Sequence, residues 1–168
     1  MNKLNLIRIF IIYSLFLISL ILQIISWPQN FNLLKPSWVY IIFSCLLLIY
    51  PEKINIGTGF ILGLILDLHL GSTLGMHSIS ISFLAYLILI NIKYFYKTSL
   101  FKQSLYISFF ISIVKLSILI IQLVISNTLL QINFFENILI DIIMWPWIFS
   151  LIKNILCYFN VINKGIFF

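Results

Sequence analysis

Three ionisable side chains crowd one short stretch of this chain: Asp67, His69 and His77, with Ser72 between them. The carboxylate and two imidazoles could ligate a metal or run acid–base chemistry. The spacing argues against both. Asp67 and His69 are two residues apart, so on a helix they point to different faces. The run Gly71-Ser72-Thr73-Leu74-Gly75 lacks the Gly-x-Ser-Gly of an intramembrane serine protease, and the chain has no Gly-x-x-x-x-Gly-Lys-Ser/Thr phosphate loop. The dense charged motifs with which lipid-headgroup transferases hold metal and pyrophosphate are absent too. We therefore expect no catalytic residue, no metal and no cofactor.

Lys115 and Asp141 are two more ionisable residues, each set inside a long apolar run. Such residues default to a functional hypothesis in a membrane. The plainer role for an intramembrane charge network of Asp67, Lys115 and Asp141 is mutual pairing that holds helices in register. We expect Lys115 to pair with Asp67 or Asp141, because an unpaired lysine near the bilayer midplane costs about 2.5–3.5 kcal/mol. One lysine and two acids offer little to line a hydrated path. A small membrane transporter, or a substrate-binding transporter subunit using these three residues, is the alternative reading.

Composition dictates what must position these groups. Of 168 residues, 62% are hydrophobic and only 8% charged, with a mean hydropathy of +1.17. Soluble domains carry about 25% charged residues, and a chain this apolar could not cover its own Ile, Leu and Phe with polar surface. The net charge of +6 is scattered between apolar runs and forms no dense patch, so no nucleic-acid partner is expected. Cys45 and Cys157 lie in apolar surroundings without metal-ligand neighbours, and we read both as buried free thiols.

The fold class that follows is all-α, a polytopic integral membrane protein. One membrane domain, residues 1–168, holds about six transmembrane helices near 7–26, 37–50, 54–70, 74–92, 104–125 and 138–152. The second is short for a ~30 Å hydrocarbon core, so it must borrow flanking residues or be sheltered by neighbours. Trp27 and Pro28 mark an interface and a helix end. Trp145, Pro146 and Trp147 are read in the same way as interfacial or kink residues, with the proline kinking the last span. The third span holds a stripe at steps of four, Gly59, Gly63, Asp67 and Gly71, followed by Gly75. Each glycine costs a helix about 1 kcal/mol relative to alanine, so the stripe asks for a close helix contact, either inside the bundle or with a partner.

Charge sets the orientation. With the N-terminus cytoplasmic, Lys3, Arg8, Lys53, Lys93, Lys97, Lys102, Lys153 and Lys164 lie inside and only Lys35 outside. That asymmetry predicts N-in/C-in topology.

The stretch from Gly57 to Gly75, read as G-x-G-F-x-x-G-x-x-L-D-L-x-x-G-S-x-L-G, resembles the signature region of the MreD family of rod shape-determining proteins, in its proteobacterial branch. Leu22-Gln23-Ile24 with Trp27-Pro28, Lys35-Pro36-Ser37-Trp38-Val39, and Trp145-Pro146-Trp147-Ile148-Phe149 extend the resemblance over nearly the whole chain in order. It implies a non-catalytic inner-membrane subunit of the cell-elongation machinery. The implied partners are an MreC-like bitopic membrane protein, MreB, RodA and a class B penicillin-binding transpeptidase. Lys115 departs from the acidic or neutral residue expected there in relatives.

Overall fold

A computed structural model describes residues 3–25, 35–126 and 137–158. Seven helices and no strand occur among the described residues: α1 (Lys3–Ile24), α2 (Trp38–Ile49), α3 (Ile56–Leu70), α4 (Met76–Ile90), α5 (Ile92–Lys97), α6 (Leu100–Ser126) and α7 (Asn137–Tyr158). Trp27 and Pro28 lie outside the described residues.

The shortest of the long apolar helices sits in the middle. α2 is apolar all round and has 12 residues, and every one after Trp38 is buried. A helix without a polar face has to be enclosed, and α2 packs against α1, α4 and α7. At about 18 Å it falls short of the hydrocarbon thickness. Its neighbours meet the lipid in its place, so it need not span alone. Around it, α3 joins α1 to α4, and α6 joins α4 to α7.

The outward faces are apolar as well. Phe10 of α1 is 75% exposed, Leu68 of α3 70% and Leu139 of α7 70%. A water-soluble protein rarely leaves such patches contiguous; lipid accommodates them. The segments Leu100–Ile121 and Ile138–Tyr158 are each long and apolar enough to cross a membrane, and shorter apolar helices cover Ile9–Ile24, Trp38–Ile49, Ile56–Leu70 and Met76–Ile90.

Two details depart from the sequence reading. The basic link after α4 contains the six-residue α5, fixed by Tyr96, whose hydroxyl donates to the Leu48 carbonyl at the end of α2 (2.8 Å). Burial raises the Tyr96 phenol above its ordinary pKa. Second, Trp145 is no interfacial anchor. It is fully buried and stacks on Phe149 (centroids 5.9 Å apart), while Trp147, two positions on, is 74% exposed. Two steps along a helix turn about 200°, so the pair cannot share an environment. Pro146 stands within α7, which continues through it to Tyr158. Its ring deprives the Ile142 carbonyl of a helical donor.

Candidate functional site

α3 and α4 form the tightest helix pair, and glycine is the reason. A Cβ on Gly63 would fall on the Ser78 backbone of α4. A Cβ on Gly59 would lie 2.9 Å from Phe43 Cζ of α2 and 3.2 Å from Ile81 Cγ2 of α4. Without side chains at these two positions the α3 and α4 backbones touch, which brings the gain in van der Waals contact that drives helix pairing in lipid. The stripe is therefore occupied within the bundle at Gly59 and Gly63, and no partner can reach them there.

Gly71 and Gly75 do not belong to that stripe. Gly71 ends α3 in the left-handed region (φ +63°), and Gly75 starts α4 at φ +104°, with nothing within 4 Å of a Cβ at either. Only glycine enters those conformations without strain. The step of four runs past the helix end into the turn, so spacing alone groups residues that the backbone separates.

The turn folds the start of α4 back over Asp67, whose side chain is fully buried. Its Oδ1 accepts from Ser72 Oγ (2.9 Å), His77 N–H (3.1 Å) and His77 Nδ1 (2.7 Å). Its Oδ2 accepts from Gly75 N–H (2.9 Å) and Ser78 Oγ (3.1 Å). Backbone N–H groups at a helix start have no intrahelical partner and carry the positive end of the macrodipole. Asp67 thus closes the α3–α4 hairpin as an anion seated on the N-terminus of α4. An ionised carboxylate only accepts, so His77 Nδ1 holds its ring proton toward it. Ser72 Oγ also approaches this same Nδ1 (3.4 Å). A nucleophile–base–acid relay needs the two ring nitrogens to serve different partners, so the three residues form no such relay. His69, by contrast, is exposed, and no group of three or more metal-ligating side chains occurs among the described residues.

A second carboxylate repeats the device. Asp141 of α7 is buried and accepts from the backbone N–H and the hydroxyl of Ser37, each at 2.8 Å. Ser37 is the N-cap of α2, so this acid too holds the start of a helix. Lys115 Nζ of α6 stands 3.4 Å from Asp141 Oδ2, which ties α6, α7 and α2 together. The three intramembrane charges form two separate clusters: the partners of Asp67 come from residues 72–78, and Lys115 meets Asp141. Lys35 completes the pattern at the opposite pole of a helix, donating to the Gln23 and Ile25 carbonyls at the end of α1, where a cation is favoured.

Sequence reasoning missed that Ser37, Ser72, Ser78 and the Gly75 amide donate to these acids. Ser78 lies 11 residues from its acid and Ser37 lies 104 from its own, separations that carry no local signal. The available hint was an acid one turn before a glycine that ends a helix.

Comparison with known proteins settles the family. The family model for the rod shape-determining protein MreD matches residues 3–155. The chain belongs to the MreD family. The Rod shape-determining protein MreD of Haemophilus influenzae is 34% identical over 146 residues, covering 87% of this chain and 90% of that protein. No solved structure matches. As a member of the MreD family the chain is a bacterial membrane protein of the rod-shape-determining machinery. Both acids that anchor helix starts, and the Gly59/Gly63 contact, fall inside the matched region.

Proposed function

We propose that the chain is a non-catalytic, multi-pass subunit of the inner membrane that helps position peptidoglycan synthesis along the cell cylinder. It would do so by binding an MreC-like bitopic protein and, through it or directly, MreB, RodA and a class B penicillin-binding transpeptidase. The observation that carries this reading is the use made of the buried charges. Asp67 is engaged by donors of its own hairpin, and Asp141 by Ser37 and Lys115. Groups committed to holding helix starts serve rigidity, and a rigid apolar bundle acts on others through its lateral faces and short rims. Depleting the chain from a rod-shaped host tests this: cells widen and round up within a few generations. Unchanged width after the chain is gone refutes it.

The arrangement proposed is six spans with both termini cytoplasmic, α5 lying in the inner link. It rests on the eight basic residues gathered on one side. Single cysteines at Asn30 and Thr128 should react with an impermeant maleimide added to intact spheroplasts, and one at Thr98 should not. Strong labelling at Thr98 from outside would overturn the orientation.

A further inference from the structure

One lateral face of the bundle is incompletely filled. Between α1 and α3 runs a groove of about 450 Å³, open along one side and lined by Tyr13, Phe16 and Leu20 of α1, Ile61 and Ile65 of α3, and Lys53 from the turn before α3, among others. On each helix the lining positions follow one face, so the groove is straight. The α1 positions run from Ile9 to Leu20, roughly 17 Å at 1.5 Å per residue. That is close to the depth of one leaflet, half of a ~30 Å hydrocarbon core. Its walls are apolar except for Lys53, Thr58 and the Tyr13 hydroxyl. The Thr58 hydroxyl is already turned to the Asn55 carbonyl (2.7 Å). Lys53 is exposed and makes no ion pair among the described residues; the neighbouring Glu52 is not part of the lining.

We propose that this groove seats one acyl chain of an anionic phospholipid whose headgroup phosphate rests on Lys53. Charge and the groove's leaflet-deep length favour this occupant together. A cation at the end of an apolar slot complements a phosphate at the end of a hydrocarbon chain. A seated lipid would fill the gap between α1 and α3 and make the bundle's surface continuous on that side.

The test is native mass spectrometry of the full chain, purified in a neutral detergent and given equimolar dioleoylphosphatidylglycerol and dioleoylphosphatidylethanolamine. The wild type should retain one phosphatidylglycerol with a preference of about fivefold, as one lysine facing a net anionic headgroup provides; the ammonium of phosphatidylethanolamine neutralises its own phosphate. Lys53→Gln should abolish the preference while still binding either lipid. Ile61→Trp places an indole in the groove from an exposed position and should lower retention of both lipids at least fivefold. Lys97→Gln, a basic position outside the lining, should change neither. Equal retention of the two lipids by the wild type overturns the proposal. So do an Ile61→Trp chain that keeps its lipid, a Lys97→Gln effect as large as that of Lys53→Gln, and a polypeptide held in place of lipid.

Discussion

Gly63→Ala is expected to lower the thermal midpoint of the detergent-solubilised protein more than any other single-methyl addition. The new Cβ would fall on the Ser78 backbone and close to the His77 carbonyl carbon, and backbone cannot rotate aside. Overpacking of this kind costs about 3 kcal/mol or more, and relief requires α3 and α4 to move apart. At Gly59 the nearest atom is the far edge of the Phe43 ring. That side chain can yield, so Gly59→Ala should cost about 1 kcal/mol. Leu64→Ile, on a half-buried neighbouring position, should change little. Wild-type stability in Gly63→Ala would contradict a backbone contact between α3 and α4.

The second large effect is expected at Asp67. Its surroundings are all donors: two hydroxyls, three backbone amides and the His77 ring. Asparagine has the same shape but only one acceptor oxygen, and its amide hydrogens would face other donors. Hydrogen bonds to a charged group contribute about 1.5–3 kcal/mol each, so Asp67→Asn should cost at least about 3 kcal/mol. His77→Gln keeps the backbone amide and should cost roughly half as much. The measurement is the unfolding midpoint of each variant beside its membrane abundance and the width of the cells carrying it. A helix-anchoring carboxylate makes the three readouts fall together. Lost shape with a wild-type midpoint would instead assign Asp67 to proton or cation coupling, and with it the transporter reading.

What the sequence made legible follows from how local each feature is. Apolar runs of helical length and the small-residue pair Gly59/Gly63 are written in neighbouring residues, so the helices and the demand for a close contact can be read directly. The surface that would answer that contact lies on α4 at Ser78 and Ile81 and on α2 at Phe43, and nothing in α3 distinguishes these from a partner protein. A step of four does not register where a helix stops, so spacing alone sets Gly71 and Gly75 in line with Gly59 and Gly63. Placement inside apolar runs narrows the partner of Lys115 to two acids, Asp67 and Asp141, and goes no further. Asp67 is taken up by its own turn, and Asp141 meets the lysine across 26 residues of sequence. The shelter of α2 is visible in its lack of a polar face, yet its central place depends on α1, α4 and α7 closing around it.

The most direct test of the account is affinity purification of the tagged full chain from gently solubilised membranes, with every retained protein and small molecule identified. A shape-determining scaffold should bring down an MreC-like bitopic membrane protein in near-stoichiometric amount, and Gly63→Leu should lose it even when the variant reaches the membrane. A chain that purifies without any such protein, but with a small solute bound near Asp67, Lys115 and Asp141, would contradict it.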